Sequence, residues 1–415
     1  MKHAWRPAIT LVLLALLCLP YLCLGCGGEE PSGRVVIRIG QITDFTGISA
    51  PSLVPLNSAV EDVARYFNEH EMIPGAQLKV ISYNEMSDYS RDIPGYEKLK
   101  EQGAQLIITL LPTTGEILKP YSEKDHIPLT ALGGSTPLIT PPGWQFWFNC
   151  PPANEAVTLL EWLTQNDPGF PQGRPAKIGL AAWDAPFQKE LKATAEAYCK
   201  AHSDQYYWVG GYLTPIGSVT WAGEVEKLKD CDYILRGAIA QATAGFCKQY
   251  ADKGYNTTYL GMSAMTSFKG FILDYCGWDI LDGAYSDSVC PWWTEEGFAL
   301  VDLAKQVLNE YRAGEAEELI HSGTGYLGGF HNMFEICQVI QQAVDTVGVD
   351  NFDSQAFYDA ALAYRTGGEY WVNYPEWSFG PDKRFLADNI RVYEWSKEAG
   401  DLVVASDGWI TLKSP

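Results

Sequence analysis

The sequence predicts an α/β fold of two Rossmann-like lobes, each a mainly parallel sheet flanked by helices, joined by several crossover strands. About 390 residues follow an apolar N-terminal leader, which is too long a chain for one ordinary core and suits two. Runs rich in β-branched residues alternate with amphipathic helical patterns, which favours parallel sheets. This alternation pauses at 150–152, a Cys-Pro-Pro sequence, and then starts again, which indicates a second lobe.

The first 25 residues have the pattern of a lipoprotein signal peptide. Lys2 and Arg6 give a positive start, residues 8–24 are almost wholly apolar, and small Gly25 stands directly before Cys26. The pattern indicates export, and cleavage before Cys26 would leave that cysteine to be acylated. We therefore expect an extracytoplasmic protein held at the membrane by a lipid. An uncleaved membrane anchor and an ordinary signal cleaved near Gly25 remain open as alternatives.

A tether followed by lobe one is predicted after the leader. Residues 26–33 are small and polar and are expected to be a flexible tether. Lobe one is predicted at 34–149 and 291–373, where apolar residues recur with strand or helix periodicity. Its predicted strands are 35–42, 78–83, 106–111 and 127–132, separated by helices at 57–70, 94–102 and 115–124, and its later helices are 295–313 and 329–347.

Lobe two is predicted at 150–290 and 374–415 by a second series of the same alternation. The chain is expected to return to lobe one after a crossover near 286–291 and to cross back before the last strand. The predicted strands are 177–182, 206–213, 233–240, 257–262 and 389–395, and the predicted helices are 188–201, 223–229 and 243–253. Threading of this kind joins two lobes by several segments.

Composition excludes several classes of function. The formal charge is −21, and the loss of two positive charges with the leader makes it −23, so nucleic acid is excluded as a partner. Seven cysteines follow Cys26, and none has the spacing of a metal site; neither do the histidines, so no metal or cofactor is expected. In an oxidising compartment the cysteines closest in sequence could pair, namely Cys276 with Cys290 or Cys199 with Cys231.

A dinucleotide-binding pattern occurs at 323–328, where the sequence reads Gly-Thr-Gly-Tyr-Leu-Gly. That fingerprint needs an apolar strand directly before it, whereas residues 315–322 read as a polar helix end. We interpret it as a loop that enters a helix. No nucleophile elbow and no histidine paired with an acid or a cysteine is present in the sequence, so we expect a protein that is not an enzyme.

Five loop sequences in order resemble those of the type I periplasmic ligand-binding proteins, specifically the branched-chain amino acid and amide branch that serves ABC importers. They are the stretches 39–47, 111–115, 132–137, 183–187 and 219–229. The resemblance covers nearly the whole mature chain. It implies a protein that captures a small organic ligand, such as a carboxylate, an amide, an aromatic acid or an amino acid, and delivers it to an ABC transporter permease. A sensor of the same fold that signals to a membrane partner is the alternative.

The resemblance also implies which loops contact the ligand, because ligands of such folds lie beyond the carboxyl ends of the strands. The expected ligand-binding positions, of which Arg236 comes from its own sequence context, are Asp44, Phe45, Thr113, Thr114, Gly134, Ser135, Trp183, Phe187, Arg236 and Ser263. The hydroxyls and N–H groups of lobe one could hold a ligand carboxylate, although Thr114 and Ser135 could also cap helices. The aromatic rings of lobe two could stack on the ligand or pack at a strand end.

We form separate expectations for Arg236 and for the stretch 261–265. Arg236 interrupts an apolar run, so it needs either an anionic ligand or an acidic partner such as Asp232 or Asp184. Amino acid binders of the family that the chain resembles hold the ligand ammonium with an acid shortly after the fourth strand of lobe two. Here the stretch 261–265 contains Ser263 and no acid, so the ligand is expected to differ from a branched-chain amino acid.

Overall fold

A computed structural model describes residues 33–415 with the exception of residue 238. The predicted leader, Cys26 and most of the predicted tether lie outside the described residues. In the described part no helix is both long enough and apolar enough to cross a membrane. The structure consists of two sheets flanked by helices, and we call each sheet with its helices a lobe.

The strands of lobe one follow each other in the first part of the chain, whereas those of lobe two extend to the C-terminal part. The strands are β1 (Val35–Thr43), β2 (Ala76–Asn84), β3 (Leu106–Thr109), β4 (Leu129–Ala131), β5 (Gln145–Trp147), β6 (Ala176–Trp183), β7 (Tyr206–Thr214), β8 (Tyr233–Arg236), β9 (Thr258–Gly261), β10 (Tyr285–Ser288), β11 (Asn389–Ser396), β12 (Asp401–Val404) and β13 (Ile410–Thr411).

Helices connect most of these strands. They are α1 (Ala50–Glu69), α2 (Asp92–Glu101), α3 (Pro112–Asp125), α4 (Thr136–Ile139), α5 (Pro152–Asn166), α6 (Pro186–Ala201), α7 (Ala222–Leu228), α8 (Ala240–Asp252), α9 (Ser263–Ser267), α10 (Lys269–Cys276), α11 (Trp278–Leu281), α12 (Ala299–Tyr311), α13 (Ala316–His321), α14 (Gly325–Val347) and α15 (Ser354–Ala363). Proline at the first or second position begins several of them, since its missing N–H costs nothing there.

Lobe one contains a five-stranded sheet in the order β2-β1-β3-β4-β5, with every pair parallel. Alternate residues of β3 point to opposite faces of this sheet. Ile108 lies in one apolar cluster with Phe67 of α1 and Phe334 of α14, whereas Ile107 lies in another with Leu99 of α2. Helices therefore cover both faces, as a parallel sheet requires.

Lobe two contains an eight-stranded sheet in the order β12-β11-β10-β9-β8-β6-β7, with β13 paired to β11. The strands from β7 to β10 are parallel, and β11, β12 and β13 are antiparallel to their neighbours. Helices α5 and α6 pack together beside this sheet, as do α8 and α10. The predicted fold class is confirmed.

The chain passes between the sheets more than once. It leaves lobe one after β5, and after β10 it continues into α12 and α14, which pack on α1. Before β11 it runs beside β5, where the Trp147 N–H donates to the Arg384 carbonyl at 2.7 Å and the Leu386 N–H to the Trp147 carbonyl at 2.9 Å. These crossings agree with the predicted back-and-forth threading, while the exact lobe boundaries stay a prediction.

The cysteines of the described residues correct one expectation. All of them are buried and free, so neither the Cys276–Cys290 pair nor the Cys199–Cys231 pair forms a disulfide. Burial raises the pKa of the Cys199 thiol to about 12, which makes it a poor nucleophile. Nor do the described residues contain a group of histidine, cysteine and acidic side chains that could hold a metal ion.

Candidate ligand-binding site

A cavity of about 140 Å³ lies between the two lobes, where the carboxyl ends of strands from both sheets meet. Its walls are mainly aliphatic and aromatic. The lining residues are Leu53, Leu56, Leu110, Leu111, Pro112, Leu132, Gly133, Trp147, Asn149 and Cys150 from lobe one and its crossover, and Phe187, Gln188, Gly237, Ile239, Ser263, Ala264, Ser267 and Phe268 from lobe two. No charged side chain is among them.

A second, smaller cavity of about 70 Å³ adjoins the first. Leu111, Pro112, Gln188 and Ile239 line both of them, so the two cavities form one cleft. The remaining walls of the smaller cavity are Ile48, Ser49, Ser87, Tyr89, Thr113, Trp183, Ala185 and Ile216. An engineered apolar cavity of roughly 150 Å³ binds benzene, so the cleft has room for a ligand of about one ring.

Two neutral polar groups in the cleft walls are buried without a hydrogen-bond partner among the described residues. The Gln188 Nε2 donates to the Gly237 carbonyl at 2.5 Å, which assigns the amide orientation, and the Gln188 Oε1 is left as an unused acceptor. The indole N–H of Trp147 is an unused donor. Unsatisfied buried groups are costly, so the cleft favours a ligand that pairs with them.

Four of the predicted site residues lie in this cleft. Phe187 and Ser263 line the larger cavity, and Thr113 and Trp183 line the smaller one. The Trp183 indole N–H donates to the Ser218 carbonyl at 3.0 Å, which fixes the ring at the carboxyl end of β6. These residues come from three different loops, and only the folding of both lobes brings them together.

Asp44 and Phe45 lie outside the cleft. The Asp44 carboxylate accepts hydrogen bonds from the backbone N–H groups of Thr46 and Ser49 at 2.9 and 3.1 Å and from the Ser87 hydroxyl at 2.5 Å. Burial acts to raise the pKa of Asp44, but these hydrogen bonds outweigh it and hold the pKa below its usual value. Asp44 thus organises the loop, and the Phe45 ring is exposed.

Thr114 is fully buried and faces two acids of lobe one. Its hydroxyl donates to Glu85 Oε2 at 2.8 Å, and Asp92 lies beside Glu85. Burial and the neighbouring Glu85 raise the pKa of Asp92 to about 9, so this carboxyl is neutral at pH 7. The side chain of Thr114 is therefore used inside lobe one and does not line the cleft.

Gly134 and Ser135 lie between β4 and α4, directly after the cleft residues Leu132 and Gly133. The Ser135 hydroxyl donates to Glu116, and Ser135 lines a separate outer cavity with Glu116 and Glu190. A side chain at Gly134 would come within 2.9 Å of Leu138, so the backbone there is closely packed. Neither residue lines the cleft itself.

Arg236 ends β8 and is completely buried in lobe two. Its guanidinium donates to the carbonyls of Ala181 and Ala242 and lies 4.5 Å from the centre of the Phe246 ring. Neither acid that the sequence suggested as its partner pairs with it, since Asp232 binds Arg174 and Asp184 binds Lys189. Desolvation lowers the pKa of Arg236, and its partners are carbonyl oxygens and aromatic faces.

The family profile described as "Periplasmic binding protein" matches residues 36–399. The chain belongs to the periplasmic binding protein family. This confirms the resemblance of the loop sequences, and the family's name implies a location outside the cytoplasm. No curated protein sequence matches the chain.

Solved structures share the fold of this periplasmic binding protein at low sequence identity. A branched-chain amino acid ABC transporter protein from Thermus thermophilus with bound valine has a TM-score of 0.78 at 17% identity, over 91% of this chain and 97% of its own. A solute-binding protein from Rhodopseudomonas palustris BisB5 in complex with 3,4-dihydroxybenzoic acid has a TM-score of 0.74 at 14% identity, over 92% and 99%. A fatty acid ABC transporter substrate-binding protein from Thermomonospora curvata has a TM-score of 0.74 at 12% identity, over 90% and 92%.

A pair of buried acids lies behind the cleft wall of this periplasmic binding protein. Glu155 at the start of α5 and Asp287 in β10 are completely buried, and both face Ser263, which lines the cleft. Neither carboxyl has a hydrogen-bond partner of good geometry among the described residues. Burial raises the pKa of Glu155 to about 7, and burial together with the neighbouring Glu155 raises that of Asp287 well above its usual range. The stretch 261–265 contains no acid itself, and these two acids lie behind it.

Several cleft residues were not predicted from the sequence. Leu53 and Leu56 belong to a helix whose beginning the sequence placed at 57, whereas α1 begins at Ala50. Glu155 lies in a helix that was not predicted at all, although the Pro-Pro pair before it is a recognisable start signal. Gln188 follows the predicted contact Phe187 and was not itself predicted, although it gives the cleft its unused acceptor.

Proposed function

We propose that this protein is an extracytoplasmic solute-binding lipoprotein that captures a small organic molecule between its lobes and delivers it to an ABC importer. The single observation that carries the proposal is the apolar cavity between the lobes, which takes walls from the strand ends of both. Thr113, Trp183, Phe187 and Ser263 are its proposed ligand contacts.

Bonds across the cleft support capture by closure of the lobes. Thr136 of lobe one binds Glu190 of lobe two, and Gln241 of lobe two bonds to Ser52 at 3.4 Å and to the Ile48 carbonyl at 3.3 Å. Opening of the cleft breaks these few polar contacts, whereas the chain crossings stay intact and can act as hinges. Closure then removes the ligand from water, and opening releases it to the permease.

The proposed role in delivery requires that the protein stay near its transporter. Acylation of Cys26, which lies outside the described residues, would hold the soluble lobes at the membrane surface. We expect Cys26→Ala to release the protein from the membrane fraction while the wild type remains there. Mass spectrometry of the mature N-terminus tests the lipid directly, and an unmodified Cys26 would contradict this part of the proposal.

The binding function is tested by a screen of small carboxylates, amides, amino acids and aromatic compounds that measures the melting temperature. A ligand at 100 times its Kd should stabilise the protein by about 2.7 kcal/mol. Phe187→Ala should weaken binding of the best compound by at least tenfold, because it removes one wall of the cavity. Phe271→Ala is the matched control, since the Phe271 ring is exposed on α10 outside the cleft. A broad screen without any stabilising compound would contradict capture.

A further inference from the structure

We infer that the cleft takes an uncharged ligand of about one ring, which donates a hydrogen bond to Gln188 Oε1 and carries neither a carboxylate nor an ammonium group. This inference rests on the proposed function, because it names the class of molecule that the same cleft captures. It starts from the cleft walls, which contain no charged side chain and leave one neutral acceptor unused.

A ligand carboxylate would find four of the nearby side-chain donors already occupied. Around the cleft, hydroxyl or N–H donors of four loop residues bind carboxyl oxygens of the protein itself. The pairs are Ser87 with Asp44, Thr114 with Glu85, Ser135 with Glu116, and Thr136 with Glu190. A ligand carboxylate beside these four pairs would not gain their donors and would meet negative charge.

The cationic side chains near the cleft do not provide a counter-ion for a ligand carboxylate. Arg236 is held by the carbonyls of Ala181 and Ala242 inside lobe two, and Lys189 pairs with Asp184 at 3.0 Å. Lys119 donates to the carbonyls of Pro137 and Thr140 at 2.9 and 3.1 Å. Each of these cations is engaged outside the cleft walls, so a carboxylate would be buried in the cleft without a counter-ion.

An ammonium group is disfavoured for a different reason. The acids behind Ser263 are Glu155 and Asp287, and burial raises the pKa of Glu155 to about 7 and that of Asp287 well above its usual range. A cation in the larger cavity would therefore meet, across a serine, a pair that keeps at least one proton near neutral pH, and it would lose its hydration within apolar walls. Asp44, beside the smaller cavity, is already held by the hydrogen bonds of its own loop. A neutral ligand pays neither cost.

Gln188 gives the preferred ligand its polar contact. The Gln188 side chain lines both cavities, and its Nε2 is committed to the Gly237 carbonyl, so its Oε1 needs an N–H or O–H from the ligand. Trp147, also in the wall, has an unused indole N–H that suits a ligand carbonyl. A ring or branched chain with one polar head that both donates and accepts matches these groups.

The test uses matched triads that differ in charge at constant shape, measured by calorimetry at pH 7. The triads are benzamide, benzoate and benzylammonium, and isovaleramide, isovalerate and isopentylammonium. We expect the neutral member to bind at least tenfold more tightly than either ion. Tighter binding of a carboxylate or an ammonium would overturn the inference and leave the proposed capture function standing. Failure of all six compounds would overturn the assigned class and size, while the broad screen decides separately whether the cleft binds any solute.

Two variants test the polar contacts. Gln188→Leu and Trp147→Phe should each weaken binding of the neutral member by about threefold to tenfold, the usual worth of one neutral hydrogen bond. Trp144→Phe is the control, because Trp144 stacks on His126 at 4.8 Å and does not line the cleft. Unchanged binding in both variants would overturn the assigned contacts, and Trp147→Phe keeps the test valid if Gln188→Leu does not fold.

Discussion

Thr136 and Glu190 join the two lobes through a pair of hydrogen bonds. The Thr136 backbone N–H donates to Glu190 Oε2 at 2.6 Å, and its hydroxyl donates to Glu190 Oε1 at 2.5 Å. Thr136 begins α4 of lobe one and Glu190 lies in α6 of lobe two. The bidentate geometry uses both carboxylate oxygens, so the pair is specific to the closed arrangement of the lobes.

Glu190→Gln should favour the open protein. The amide is uncharged, so both hydrogen bonds to Thr136 lose their charge assistance, and we expect ligand affinity to fall about threefold to tenfold. Small-angle scattering should also show a larger radius of gyration for the ligand-free variant. Glu196→Gln on the same helix, where the carboxylate binds only the exposed Lys200, is the control. A variant with unchanged affinity and radius would refute the assigned role of the pair.

Thr114→Val should affect stability and leave binding unchanged. The variant removes the hydroxyl that donates to the buried Glu85, so we expect a loss of about 1–3 kcal/mol in the free energy of unfolding. Ligand affinity should stay within about twofold of the wild type, because Thr114 does not line the cleft. Denaturant unfolding and calorimetry measure the two quantities.

The adjacent Thr113→Val is the matched variant with the opposite expectation. Thr113 lines the smaller cavity and is partly exposed, so this change should alter ligand affinity while stability changes by less than about 0.5 kcal/mol. If Thr114→Val impaired binding more than Thr113→Val did, the result would contradict a Thr113 that lines the cleft and a Thr114 that does not.

The buried acids should make stability depend on pH. The folded protein holds a proton on Glu155 up to about pH 7, whereas the unfolded chain releases it near the ordinary value of 4.5. The free energy of unfolding should therefore fall as pH rises between these values, with Asp287 adding to the loss, by a few kcal/mol in all. Denaturant titrations from pH 5 to pH 8 measure this slope.

Glu155→Gln should reduce that slope without abolishing it, because Asp287 and Asp92 still titrate. It should also make the protein more stable than the wild type at pH 8, because an amide never ionises. Glu161→Gln on the same helix is the control. Among the described residues Glu161 pairs with the half-exposed Lys413, so this change should leave the pH dependence of stability intact. A wild-type protein whose stability rose steadily over this pH range would show that the acid pair does not titrate as described.

Two neighbouring glycines of α14 should respond in opposite ways to alanine. At Gly329 an added Cβ would lie 3.0 Å from the Leu56 Cα and 3.1 Å from the Ala59 Cβ, so Gly329→Ala should push α14 from α1 and cost about 1–3 kcal/mol. At Gly328 a Cβ would meet nothing within 4 Å, so Gly328→Ala should stabilise the helix by roughly 0.5–1 kcal/mol. Thermal unfolding of both variants checks the pair, and equal effects would contradict this packing.

The start of α14 overlaps the dinucleotide-binding pattern of the sequence, and its structural context shows that the pattern is not a nucleotide site. The fingerprint at 323–328 lacks a preceding strand, and the structure places a helix start there: α14 begins at Gly325, packed against Ser267 and Pro55. Most strands were predictable to within a few residues, because β-rich runs such as the one that became β6 are nearly continuous and buried. Helix α5 was not predicted, although it begins at a proline and buries most of its residues.

The sequence by itself determined the two-lobed α/β class and the family, because alternation of strands and helices and the loops at the strand ends are local properties. It also indicated Thr113, Trp183, Phe187 and Ser263 as cleft residues. Only the tertiary structure decided which hydroxyls are free, since Thr114 and Ser135 find protein acids that are distant in sequence. The pairing of Glu155 with Asp287 and the unused oxygen of Gln188 likewise depend on contacts between separate segments. Buried polar groups find their hydrogen-bond partners in segments that are distant in sequence. The chemistry of the cleft therefore appears only once both lobes are folded.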